Sequence, residues 1–163
     1  MSRLNFFMAL GCTAAALLFV APSIVVNAAS PTAIEAIDMR QRGFKDMGAA
    51  LKGLRDQFRR PKPVMVLIRE YARELERYSA EPVMEKWFPA GAGPGQGLDT
   101  AARPEIWANL DEFARLWNEF SEASTRLRVA VTAGDMDATR QRAKEIGETC
   151  SRCHENFRVK DEE

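Results

Sequence analysis

The sequence predicts an all-α protein, an antiparallel four-helix bundle. Three observations lead there. Apolar residues recur at alternating steps of three and four along four separate stretches, the spacing of one helix face. Prolines fall at the ends of those stretches, where helices start or stop. All but one of the links between them are short, which sets neighbouring helices antiparallel. No strand-like alternation competes.

The first stretch runs from Thr32 to Arg59, with Pro31 just ahead, where its missing N–H costs nothing. Its inward positions are Ile37, Arg40, Phe44, Met47, Leu51, Leu54 and Phe58, and "RRPKP" ends it. The second, Val64 to Tyr78, carries Leu67, Ile68, Tyr71, Leu75 and Tyr78 on one stripe, and Pro82 breaks it. The segment "WFPAGAGPGQGLDTAARP" follows. Its glycines lack a following Lys-Ser/Thr and a leading strand, so it reads as a loop, not a phosphate cradle. The third stretch, Pro104 to Ala133, places Ile106, Leu110, Phe113, Trp117, Phe120, Ser124, Leu127 and Val131 inward. At "AGD" the chain stops and restarts, with Asp135 suited to cap the next helix. The fourth stretch, Met136 to Lys160, has the seam Met136, Thr139, Ala143, Ile146, Cys150, Cys153 and Phe157.

The chain has 163 residues, enough for one domain with its own core. Basic and acidic residues number 23 each, and this balance argues against a nucleic-acid binder. Residues 1–28 read as a signal peptide: Arg3, then the uncharged run Leu4 to Val26, then small residues at Ala28. Residues 29–163 form the expected domain, and export implies the periplasm. Left uncleaved, the run from Leu4 to Val26 is long enough to anchor the protein in a membrane, but Pro22 and the small-residue end favour cleavage. "ALGC", ending at Cys12, has too short an apolar lead-in for a lipoprotein signal. After cleavage only Cys150 and Cys153 remain. A disulfide closing so small a loop removes little chain entropy, so the pair points to chemistry.

Cys150-Ser151-Arg152-Cys153-His154 fits C-x-x-C-H, the attachment site of a c-type haem. Cysteines at i and i+3 reach the two vinyl carbons on one porphyrin edge, and His154, the only histidine, is carried under the iron. A thioredoxin-like C-x-x-C needs a βαβ setting, and a zinc site wants four ligands where the cleaved chain offers two cysteines and one histidine. A bundle without haem leaves the motif unexplained. One covalent haem c per chain is therefore expected. Arg40, a charge on an apolar seam, is placed to meet a haem propionate, unless it lies at the seam's edge and snorkels outward. Arg158, four residues after His154, lies either beside the imidazole or in solvent as a last-turn cation. With no second histidine, the other face of the iron is either vacant under Phe44 or held by a methionine, Met47 being the candidate on the first helix. Small seam residues such as Gly48 and Ala143 leave room for a porphyrin, although they also occur in ordinary tight packing.

These residues resemble the cytochromes c′, the class II c-type cytochromes. The resemblance covers the chain after residue 28, through "MRQRGF", "WFPAGAGPGQG", "ARPEIW", "AGDMD" and "CSRCHENFR". It implies thioethers at Cys150 and Cys153, His154 as proximal ligand, Arg158 near that histidine, Arg40 near the propionates and Phe44 at the distal position. Low-spin relatives carry a methionine there, so Phe44 implies five-coordinate, high-spin iron. The resemblance also implies a homodimer through the first two helices, binding of nitric oxide and carbon monoxide, and electron exchange with a redox protein partner. A turnover enzyme is not expected. The alternative is a low-spin electron carrier with a methionine on the iron.

Overall fold

The computed structural model describes residues 32–94 and 99–160. The expected signal peptide lies outside the described residues. The elements are α1 (Ala33–Phe58), α2 (Met65–Ser79), α3 (Val83–Lys86), α4 (Glu105–Ala108), α5 (Leu110–Ala133) and α6 (Met136–Phe157). The long helices α1, α2, α5 and α6 form the four-helix bundle. Among the described residues, no helix is long and apolar enough to cross a membrane.

Local chemistry sets most boundaries. Thr32 and Glu35 cap each other's backbone N–H at the start of α1, at 3.0 and 3.3 Å. Asp135 accepts from the Ala138 N–H at 2.9 Å and opens α6, as its position predicts. Gly134 adopts φ 73°, the left-handed conformation that ends α5.

The expected third helix is not continuous. Asn109, at φ −135° and ψ 53°, separates α4 from α5. Its Nδ2 donates to the Glu105 carbonyl at 3.1 Å, the kind of local bond that competes with helix. The break leaves Leu110, a predicted core residue, exposed, while Leu116 is buried instead. Leu67 is likewise exposed, and the neighbouring Ile68 takes the core position.

The core holds Leu54, Ile68, Leu75, Leu127 and Ile146, each 0–1% exposed. α1 packs on α2, α2 on α5 and α5 on α6, whereas α1 and α6 touch far less. The segment read as a plain loop is in fact a wall. It follows directly on α3, and its Trp87, Phe88 and Ala92 are buried. The Trp107 indole N–H bonds the Phe88 and Pro89 carbonyls, both at 3.2 Å, and fixes this segment to α4.

Candidate haem site

A cavity of about 430 Å³ opens where α1 and α6 are apart. Its α1 side includes Arg40, Phe44 and Gly48, and its α6 side includes Cys153, His154 and Phe157. Phe88, Ile106 and Phe113 add apolar surface, and residues 100–102 form part of the rim with Arg158. A Cβ on Gly48 would meet nothing within 4 Å, so this helix position borders open space.

α6 ends at Phe157, short of the predicted Lys160. Arg158 is extended, at φ −119° and ψ 136°, and forms an isolated antiparallel bridge with Ala102. The Val159 N–H donates to Ala101 O at 2.8 Å and the Arg103 N–H to Phe157 O at 3.0 Å. Arg158 therefore does not continue the helical face of His154. It reaches the cavity through this backbone tie, and its charge helps hold the His154 imidazole below its ordinary value, after the larger effect of partial burial.

Arg40 does not snorkel outward: it is 2% exposed. Its Nη1 donates to Trp87 O at 3.1 Å and Ala92 O at 2.8 Å, and its Nη2 to Thr100 Oγ1 at 2.6 Å. The guanidinium carbon lies 4.9 Å from the Phe88 ring centre. Burial lowers its pKa to about 10, so it stays charged at neutral pH. The chain itself thus supplies partners for a charge that the sequence left unpaired.

Cys150 and Cys153 are free and partly buried, one turn apart on α6. Burial raises both thiols, Cys153 to about 11, so both are protonated at neutral pH. Cys153 lines the cavity, and Cys150 packs against the core beside it. Met47 is 7% exposed within the core and is not among the lining residues. Phe44 lines the cavity and meets Trp87 edge-on, ring centres 5.4 Å apart. Trp117 also meets Phe44 edge-on, ring centres 6.3 Å apart, and its buried indole N–H has no partner among the described residues. Sequence reasoning missed Trp87, Phe88 and Thr100. The one available signal was the aromatic pair at the start of a glycine-rich segment.

The sequence profile of the cytochrome c′ family matches residues 35–158. The chain belongs to the cytochrome c′ family. Cytochrome c′ of Pararhodospirillum photometricum is 32% identical over 132 residues, covering 80% of this chain and 99% of that one. Cytochrome c-554 of Cereibacter sphaeroides is 32% identical over 74 residues, covering 45% of this chain. The chain spans about half the length of the first curated relatives it matches, 55% for that cytochrome c-554. The nitric oxide complex of a mutant cytochrome c′ from Alcaligenes xylosoxidans superposes with a TM-score of 0.64 at 27% identity, covering 79% of this chain and 97% of that one.

The cofactor of a cytochrome c′ is a covalently attached c-type haem, and the residues present fit it. The cavity is walled by aromatic and aliphatic side chains and bordered by a cysteine of the attachment motif, the histidine and two arginines.

Proposed function

We propose that this chain is a periplasmic cytochrome c′ whose five-coordinate haem iron binds nitric oxide and carbon monoxide and can exchange electrons with a redox protein. One observation carries the reading: the C-x-x-C-H motif on α6 borders a cavity that also has Phe44 of α1 in its wall, while Met47 lies elsewhere in the core. A methionine-ligated electron carrier is not favoured by that arrangement.

When bound, haem supplies an iron that takes an axial ligand and a small gas and changes oxidation state. The chain's residues do the rest. Cys150 and Cys153 hold the group as thioethers. His154, held toward its neutral form, offers a ring nitrogen to the iron. Arg40 and Arg158 place positive charge at the cavity for the propionates and the proximal side. Phe44 covers the remaining face with a ring that has no hydrogen-bond donor. Bound dioxygen is polarised and gains from a donor, whereas nitric oxide on ferrous iron needs none, so this wall favours nitric oxide and carbon monoxide. Ile34 on α1 and Val66 and Leu67 on α2 are exposed apolar side chains suited to a dimer through these helices. The chain acts by binding and redox exchange.

The deciding experiment is the optical spectrum of protein matured in a periplasm, oxidised and reduced, with and without carbon monoxide. A broad high-spin ferrous spectrum that sharpens with carbon monoxide is expected. A sharp low-spin spectrum indifferent to the gas would make the protein an electron carrier and end the gas-binding reading.

A further inference from the structure

Phe44 is not an isolated plug. It is the cavity end of a continuous run of aromatic rings that reaches the surface. From Phe44 the run passes to Trp87 at 5.4 Å between ring centres, and from Trp87 to Tyr78 at 6.0 Å. Trp117 joins it from α5, 5.7 Å from Trp87 and 6.3 Å from Phe44. Each contact between these rings is edge-on, at separations that let an electron pass readily from ring to ring. Tryptophan and tyrosine are the most easily oxidised aromatic side chains, and the interior part of the run, Trp87, is 3% exposed.

The outer end has a proton acceptor already in place. Oxidised tyrosine is stable only once its phenolic proton has gone. The Tyr78 hydroxyl donates to the Asp46 carboxylate at 2.5 Å, and Asp46 lies on the exposed face of α1. The Arg77 guanidinium lies 4.0 Å from the Tyr78 ring centre and opposes a positive charge there. That opposition favours passing the proton to Asp46 as the electron leaves, giving a neutral radical. The second tyrosine, Tyr71, has no ring contact with this run among the described residues and lies against Gly53.

We propose that Phe44, Trp87 and Tyr78 form a relay that carries an electron from Tyr78 to the haem when the haem reduces a peroxide, so that the oxidising equivalent ends at the surface on Tyr78. The relay rests on the haem reading above. In the ferrous protein the balance is complete. The O–O bond of hydrogen peroxide breaks and two waters leave. One electron comes from iron, which goes from ferrous to ferric, and one from Tyr78 by way of Trp87. One proton comes from the Tyr78 hydroxyl through Asp46 and one from solvent. The product is the ferric protein carrying a neutral tyrosyl radical, whose partly exposed site lets an external reductant repair it. The second oxidising equivalent is thereby drawn away from the porphyrin and its walls.

The test uses the ferrous holoprotein, its covalent haem first verified optically, mixed with hydrogen peroxide and freeze-quenched for electron paramagnetic resonance. A tyrosyl signal is expected. Tyr78→Phe should remove it although Tyr71 remains, Trp87→Phe should slow its growth, and Asp46→Asn should slow it at neutral pH. Circular dichroism checks that each variant keeps its fold. Absence of a tyrosyl radical, a signal that survives Tyr78→Phe, or growth indifferent to Trp87→Phe overturns the relay. Protein without haem would refute the haem reading instead. Pulse radiolysis then reads the relay on its own: azide radicals oxidise tryptophan, and transfer onward to tyrosine should vanish in Tyr78→Phe. Transfer that persists in that variant overturns it.

Discussion

Gly43 and Trp87 share one space: a Cβ built on Gly43 would stand 2.3 Å from Trp87 Cη2 and 2.6 Å from Cζ2. α1 accepts a glycine in mid-helix, at a cost of about 1 kcal/mol relative to alanine, and in return an indole ring lies flush against its backbone. That ring fixes the segment after α2 to the bundle. Gly43→Val should therefore destabilise the protein by about 1–3 kcal/mol through overpacking. Urea unfolding followed by tryptophan fluorescence would measure the loss. Unchanged stability would mean that Trp87 can move aside freely.

Arg40 holds the same segment by hydrogen bonds to Trp87 O, Ala92 O and Thr100 Oγ1. Arg40→Met keeps much of the volume and removes every donor. Buried acceptors without partners cost about 1–3 kcal/mol each, so denaturant unfolding should show a loss of at least that size. If Arg40 also meets a propionate, the variant's reduction potential shifts as well.

Phe44→Ala removes the ring from the cavity wall while leaving α1 intact. Carbon monoxide should bind the ferrous protein faster, by about tenfold if the ring contributes ~1.4 kcal/mol to the barrier. Stopped-flow or flash photolysis reads this directly. An unchanged rate would show that Phe44 does not guard the site.

Single Cys150→Ser or Cys153→Ser variants should keep haem through one thioether, and the double variant should release it to acidified organic solvent. Extraction followed by absorbance of both layers distinguishes them. Full retention in the double variant would place the attachment elsewhere.

Acid should weaken the fold modestly. Arg115 holds the Glu112 carboxyl below its ordinary value of 4.5, and Arg142 does the same for Glu145. Depressed carboxyls take up protons more readily in the unfolded chain, so their stabilisation is present above about pH 4.5 and is lost as pH falls below it. The Arg115–Glu112 pair is exposed and the Arg142–Glu145 pair is partly exposed, so the loss is small and shrinks in high salt. Thermal unfolding across this pH window, at low and high salt, is the check.

The long helices were legible because core spacing is a local property of sequence. Leu54, Leu75, Leu127 and Ile146 all sit where their periodicity places them. The C-x-x-C-H motif was legible for the same reason, since Cys150, Cys153 and His154 fall within one short run of α6. What escaped depends on contacts distant in sequence. Nothing local marks Trp87 as buried, because its partner is a glycine on another helix. Nothing in periodicity predicts that Asn109 will break a helix whose apolar steps continue past it. Arg158 was placed by helical spacing, but its position is set by pairing with Ala102.

The loose contact between α1 and α6 has a consequence for how the molecule comes together. These are the first and last helices, so bringing them side by side closes nearly the whole described chain into a loop, and few direct contacts between them repay that entropy. Three seams of the bundle are closed by helix packing, and the fourth has the cavity along it, where a haem would fit. A haem held on α6 beside Phe44 of α1 would then be as much the missing side of a core as a reaction centre. Assembly of the mature protein would in that sense be a joint act of chain and pigment.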